Sequence, residues 1–170
     1  NVSCGSCGEP VGFLPEEGRV ATLAGKPFRP CANAVDLNCN WAVHGRETSG
    51  YCRACRLTRT IPDLTRPGNR ERWVAIEAAK RWLLHGLMRL QLPVQGKAEQ
   101  PVSGLAFDFK GETVDGGAVL TGHEEGLITL NVAEADDAER ERRRLQMGEP
   151  YRTLLGHFRH EIGHYYWDLS

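Results

Sequence analysis

Apolar positions recur at helical spacing in two stretches of the chain and alternate with polar ones between them. Ile76, Ala79, Leu83, Leu87 and Leu90 step by three and four, with Trp73 and Leu84 flanking. This predicts a helix with Asn69 as its N-cap and Glu71 in its first turn, running to about Gln91, where Pro93 ends it. Trp73, Trp82 and His85 read as core and surface residues. Near the end of the chain Tyr151, Leu155, Phe158, Ile162, Tyr165 and Leu169 form a second stripe. At 100° per residue, His157, His160, Glu161, His164 and Asp168 gather on a face roughly 130° away. Gly148 suits the C-cap before this helix and Pro150 its first turn.

Between the helices the pattern changes to that of strands. Gly104–Phe109, Ala118–Thr121 and Gly126–Val132 are the candidates, the last the clearest. Gly116-Gly117 and Gly122–Gly126 read as turns; His123 with Glu124 and Glu125 has the composition of a metal cluster, but a solvated turn is the better reading. Ala133–Met147 reads as a charged helix. Glu134, Asp136 and Asp137 stand at its start and Arg140, Arg142, Arg143 and Arg144 near its end, complementing the helix dipole. It has almost no apolar stripe, so its arginines read as a solvated face rather than a phosphate or RNA site.

The amino-terminal part is different. It is rich in Gly, Pro and turn residues (GEPVGFLPEEGR, LAGKPFRPC) and reads as short hairpins. About 60 residues of this kind hold too little apolar content for a strong core, so bound metal would supply the missing folding energy. Thr60–Gly68, with Pro62 and Pro67, is a punctuated linker. The expected organisation is α+β: a small Cys-rich zinc-ribbon-like β domain at 1–62, then a helix, small sheet and helix domain at 63–170.

All six cysteines precede residue 56: Cys4, Cys7, Cys31, Cys39, Cys52 and Cys55. A CxxC pair makes a tight knuckle with both thiolates on one ion, and two knuckles close a tetrahedral site. Cys4, Cys7, Cys52 and Cys55 are therefore the expected structural Zn²⁺ ligands. Gly5 and Gly8 suit the turn that folds amides back on the sulfurs. Cys31 and Cys39 leave three readings open: a disulfide, a second ion held with His44 and one further ligand, or replacement of one CxxC pair in the main site. A disulfide framework for all six is disfavoured because CxxC pairs favour metal and no secretory signal is present. Neither pair follows a strand and opens a helix, as a thioredoxin-type redox pair would.

Charge narrows the partners. Lys and Arg number 21 against 22 Asp and Glu, a formal net charge of −1. Nucleic-acid binding thus lacks an electrostatic footprint, although Arg53, Arg56 and Arg59 lie near the last knuckle. No apolar run approaches a membrane span and no signal-peptide pattern occurs, so a cytoplasmic protein without membrane contact is expected.

The second helix carries His160-Glu161-Ile162-Gly163-His164, an HExxH motif. On a helix the two histidines stand one turn apart and can share a Zn²⁺, with Glu161 beside them as the base for a water. Catalytic zinc usually takes three protein ligands. Asp168 lies roughly 9 Å along the axis from the level of residue 162, too far for a short side chain. It is instead i+4 from His164 and placed to orient that ring from outside the ligand set. His157 reads as a bystander. The third ligand is expected beyond Ser170, in a longer protein of which this chain is a fragment, and the chain alone is expected to hold this ion weakly or not at all.

The order long helix, strands, charged helix, HExxH helix is the layout of the zincin metallopeptidases. The chain resembles a bacterial family of putative zinc-binding metallopeptidases whose members carry an amino-terminal zinc-ribbon-like domain. CANAVDLNCNW, CRACRLTRTIPDL, PGNRERW, KAEQPVSGLAFDF, LTGHEEGLITLN, AEADDAERERRR and GEPYRTLLGHFRHEIGHYYWD carry the resemblance. It implies a zinc-dependent peptide hydrolase acting on a peptide or protein, with Glu161 moving the proton from water to the leaving amine. The strand at Gly126–Val132 would be an edge to hold an extended peptide. Tyr165 and Tyr166 read as packing residues rather than oxyanion donors. The alternative is a ribbon module that binds protein or nucleic acid on a catalytically incomplete zincin scaffold.

Overall fold

A computed structural model describes residues 2–111, 119–148 and 153–170. The chain divides into two compact units, Asn1–Arg56 and Leu57–Ser170. The division falls before the Pro-punctuated linker because Thr58–Thr60 already pairs into the sheet of the second unit.

The first unit is built from two short antiparallel pairs. β1 (Val11–Leu14) pairs with β2 (Arg19–Thr22), and β3 (Phe28–Pro30) with β4 (Ala42–His44). Leu14, Leu23 and Ala42 form a small core, with Ala21 and Phe28 packed against it. Space there is tight: a Cβ on Gly12 would stand 3.1 Å from the Ala42 Cβ. Phe13 and Trp41 add a tilted ring pair with centroids 5.0 Å apart.

The second unit holds a four-stranded sheet in the order β5 (Thr58–Thr60), β6 (Ala106–Lys110), β8 (Leu127–Asn131), β7 (Gly122–Glu124). β5 and β8 run parallel to β6, and β7 runs antiparallel to β8. β8 is therefore flanked on both sides. It is not the edge that its pattern suggested; β7 ends the sheet on that side. β7 occupies residues expected to be a turn. The turn itself shrinks to Glu125 and Gly126, with φ of 46° and 82°. A Cβ on Gly126 would meet the Gly104 carbonyl oxygen at 2.4 Å, so glycine is required on steric grounds as well as for its backbone angle. Of the candidate strand Ala118–Thr121, Val119–Thr121 is irregular; Ala118 and the Gly116-Gly117 turn lie outside the described residues.

α1 (Asn69–Arg89) has Gly68 as its N-cap, with φ 79° and no side-chain cap. Asn69 is inside the helix; its side-chain amide donates to the Asp63 carbonyl and its oxygen accepts from Arg72. The predicted charged helix begins later. Val132–Ala135 forms a 3-10 turn, and α2 (Asp137–Met147) is capped by Asp136, which accepts from the Ala138 and Glu139 amides. α3 (Leu154–Asp168) starts at a Thr153 cap that accepts from Gly156. Pro150 and Tyr151 lie outside the described residues.

The core of this unit joins α1, the sheet and α3. Ile76, Leu83, Leu84 and Leu87 are buried from α1; Phe107, Phe109, Ile128 and Leu130 from the sheet; Phe158, Ile162 and Tyr165 from α3. Phe158 meets Phe107 and Phe109 edge-on at 5.7 and 6.2 Å. The amino group of Lys80 lies 5.4 and 5.5 Å from the same two ring centroids. Lys80 is fully buried and pairs with buried Glu77 at 2.9 Å. Thr58 accepts from Lys80 and donates to Glu77 at 2.6 Å. The spacing of α1 shows the apolar stripe but not this ion pair inside it.

Removing one partner of a buried pair strands the other's charge. Lys80→Met is expected to cost about 3–5 kcal/mol in urea unfolding, and Glu77→Leu combined with Lys80→Met to cost less than that single change. Asp108 gives a pH test. Burial alone would raise its carboxyl, but hydrogen bonds from Arg59, Lys110 and Thr60 bring it well below the usual carboxylate range. This stability is present above the unfolded pKa and is lost as the carboxyl protonates, progressively below about pH 4. Asp108→Asn should therefore destabilise the protein at neutral pH, with the gap from wild type narrowing as acid is added.

Candidate metal centres

The first centre sits where the β3–β4 pair opens. The register Pro30↔Ala42 leaves residues 31–41 as the connecting loop. Cys31 stands at one end of it. Cys39 is held inside, its amide donating to the Asn33 carbonyl at 3.2 Å, with Leu37 fully buried beside it in sequence. Cys52 and Cys55 form a knuckle in which the Arg56 amide closes onto the Cys52 carbonyl at 3.0 Å. The Cys52 amide donates to Cys31 Sγ at 3.3 Å and the Cys55 amide to Cys52 Sγ at 3.5 Å.

The sulfurs of Cys31, Cys39, Cys52 and Cys55 all lie within 4.8 Å of one another, and all four residues are buried. Cys39 Sγ is 3.7 Å from Cys52 Sγ and 3.8 Å from Cys55 Sγ. Disulfide sulfurs would be about 2.05 Å apart. Tetrahedral Zn–S bonds of about 2.3 Å place sulfurs about 3.8 Å apart, which fits these separations. Hydrogen bonding from Cys39, then from Cys52 and Cys55, draws Cys31 down, whereas the interaction with Cys31 pushes Cys52 and Cys55 up. Such crowded thiols cannot all ionise unaided. A divalent soft cation is the chemical remedy, and the set fits a structural zinc site.

This corrects the expected ligand set. Cys52 and Cys55 belong to it, but Cys31 and Cys39 take the places assigned to Cys4 and Cys7. Cys4 is half-buried and Cys7 exposed, and both are free thiols outside the cluster. Spacing identifies a knuckle but not the partner it faces. The β3–β4 register, which makes that choice, depends on the burial of Trp41, Ala42 and Val43.

The second centre lies on α3. His160 and His164 are exposed, their Nε2 atoms are 3.1 Å apart and their rings meet edge-on. Two imidazoles on a tetrahedral zinc at about 2.05 Å would place their nitrogens about 3.3 Å apart, so the pair fits the ion. Glu161, between them in sequence, is buried to 7 % exposure. Among the described residues no third His, Cys, Asp or Glu gathers with the pair.

The neighbours of the pair have other partners. His157 Nε2 lies 3.2 Å from Glu134 Oε2, a buried carboxylate on the 3-10 turn after β8. The Tyr166 hydroxyl donates to the Pro93 carbonyl at 2.7 Å, and burial pushes its pKa up to about 12. Tyr165 is buried and packs on Tyr166 with centroids 5.0 Å apart. Asp168 faces His123, with Oδ2 3.6 Å from Nδ1. His123 is the residue sequence reasoning missed. Its side chain is 3 % exposed rather than solvated. The Gly126 amide donates to its Nε2 at 2.9 Å, which leaves the ring proton on Nδ1, toward Asp168. Burial pushes its pKa below the ordinary imidazole value.

Residues 69–170 match the family described as "Putative zinc-binding metallo-peptidase", and residues 1–66 match a zinc-ribbon domain. Uncharacterized protein Mb2598c of Mycobacterium bovis and uncharacterized protein Rv2568c of Mycobacterium tuberculosis are each 44 % identical over 169 residues, covering 98 % of this chain and 48 % of theirs. The chain thus spans about half the length of the curated relatives it matches. No solved structure matches. Among the described residues no helix is long and apolar enough to cross a membrane.

Cys39→Ser should remove about one tightly held zinc ion per chain and lower the melting temperature of the first unit. Elemental analysis and thermal unfolding would check it. An unchanged zinc content would place the structural ion elsewhere.

Proposed function

The chain belongs to the putative zinc-binding metallopeptidase family, and on that premise we propose that the whole protein hydrolyses peptide bonds at α3 with zinc. The observation that carries this reading is the pair of imidazole Nε2 atoms 3.1 Å apart, with Glu161 next to them in sequence. His160 and His164 would hold the ion as neutral rings. Zn²⁺ bound there supplies Lewis acidity toward water and a peptide carbonyl.

Glu161 accepts a proton from the attacking water and delivers it to the departing amine. Its partial burial suits this task, because fewer solvent dipoles compete for the carboxylate. Phe158 and Ile162 fix the rotation of α3 and so hold the imidazoles outward. An extended peptide would lie along β7, which ends the sheet and contacts α3. Its backbone can add a strand there, while the interior position of β8 rules out that strand for the same task. A third ligand is not among the described residues; a side chain from the further length that the curated relatives have would complete the set.

The competing reading keeps the four-cysteine centre as a binding module and makes α3 a scaffold. It rests on the absence, among the described residues, of a third ligand beside the histidines. Glu161→Gln in the full-length protein separates the two. Loss of roughly 10²- to 10⁴-fold in zinc-dependent peptide hydrolysis, with zinc content unchanged, is expected for a general base. Peptide hydrolysis that is undiminished by the substitution would contradict the enzyme reading.

A further inference from the structure

Tyr165 is a buried side chain, 4 % exposed, whose hydroxyl the fold leaves unpaired. Its neighbour Tyr166 donates to the Pro93 carbonyl. Among the described residues the Tyr165 hydroxyl meets no hydrogen-bond partner, and the side chain's contacts are the rings of His123 and Tyr166. Buried hydroxyls are costly to leave unpaired. This one is not sealed off. Tyr165 lines a cavity of about 200 Å³ between the β7–β8 turn, the loop before β6 and the last turn of α3.

The cavity is below the roughly 300–1,000 Å³ of a cofactor pocket and suits a single side chain. Tyr165 and His123, the latter's side chain 3 % exposed, are its floor. Val102 and Leu169 are exposed apolar residues at its mouth, placed to flank a methylene stem. Four side chains there can accept a hydrogen bond: the hydroxyls of Tyr165 and Ser103 and the carboxylates of Glu125 and Asp168. The Glu125 carboxylate has no partner among the described residues. Asp168 has His123, at 3.6 Å, longer than a hydrogen bond. The Gly126 amide donates to His123 Nε2, so that ring carries one N–H and no charge. Lys97 donates to the Val102 and Glu125 carbonyls in the wall, which leaves two carboxylates against one ammonium. Such a set suits a group that is positively charged and only donates, the guanidinium of Arg or the ammonium of Lys.

The cavity adjoins the histidine pair. Asp168 lies one turn beyond His164, about 6 Å along the helix axis. His123 comes from β7, the strand along which the peptide is placed above. We propose that this cavity is a specificity subsite, resting on the peptidase reading, that takes the Arg or Lys side chain of a substrate residue within about two residues of the bond cut. Tyr165, Ser103, Glu125 and Asp168 accept from its cationic head.

The test reads binding rather than cleavage. Zinc-loaded full-length protein carrying Glu161→Gln is titrated with two fluorescein-labelled alanine peptides, one with a single central Arg and one with citrulline, its neutral isostere. Anisotropy should show the Arg peptide bound about tenfold more tightly. Adding Glu125→Gln/Asp168→Asn should erase the difference. Tyr165→Phe removes the hydroxyl alone; it should weaken the Arg peptide without lowering the melting temperature, since the fold gives that hydroxyl no partner to lose. Equal affinity for the two peptides, binding of neither, or an Arg preference that survives the double substitution would overturn the proposal. Cleavage is read separately, with Glu161 intact. An Arg preference in binding by a protein that cuts neither peptide would uphold the cavity and contradict the peptidase reading alone.

Discussion

The burial of Phe158 against Phe107 and Phe109 is the contact on which the α3 centre depends. A helix has one rotational freedom about its axis, and a large side chain driven into the sheet removes it. With Phe158 pointing inward, Glu161 falls about 60° to one side at 100° per residue, and His164 and His160 about 120° and 160° to that same side. The histidines therefore face out, and the glutamate sits at the border of the core, as its low exposure records. Lys80 lies within reach of the same two rings on the sheet. It is held by Glu77 and Thr58, so α1, the edge strand β5 and the floor under α3 meet at one buried ion pair.

The two units differ in what their cores can supply. The first buries Leu14, Leu23 and Ala42 as its cluster, with Phe13, Leu37, Trp41 and Val43 buried besides, a small core for a unit that runs from Asn1 to Arg56. Four buried thiols with sulfurs 3.7 and 3.8 Å apart where measured make metal part of the folding energy there. The second unit has aromatic and aliphatic layers from two helices and a sheet. Its histidines stand exposed, as a metal site with an open position, unlike a closed structural one, would require.

Much of this was legible in the sequence where one strong local signal decides the outcome. The periodic stripes placed α1 and α3, strand-like patterns between turn residues placed β6 and β8, and HExxH spacing placed His160 and His164 together. The Cys52–Cys55 knuckle was equally local. What was missed depends on pairing at a distance. Nothing in a Cys-x-x-Cys spacing says that Cys52 and Cys55 face the β3–β4 loop rather than Cys4 and Cys7. The run Gly122–Gly126 has turn composition, but pairing with β8 draws its first residues into a strand and buries His123. The parallel β6–β8 pairing and the β7 addition likewise make an interior strand of one that looked like an edge. Lys80 and Glu77 are polar letters on a helix, and only the sheet packed over them makes them a buried pair.

Zinc K-edge X-ray absorption on the full-length protein tests the central claim most directly, beside the variant His160→Ala/His164→Ala. The account predicts mixed sulfur and nitrogen/oxygen scattering in wild type, with the nitrogen/oxygen shell at about 2.0–2.1 Å disappearing in the variant and sulfur at about 2.3 Å remaining. A wild-type spectrum of sulfur scattering alone, indistinguishable from that of the variant, would mean that α3 holds no metal and would contradict the account.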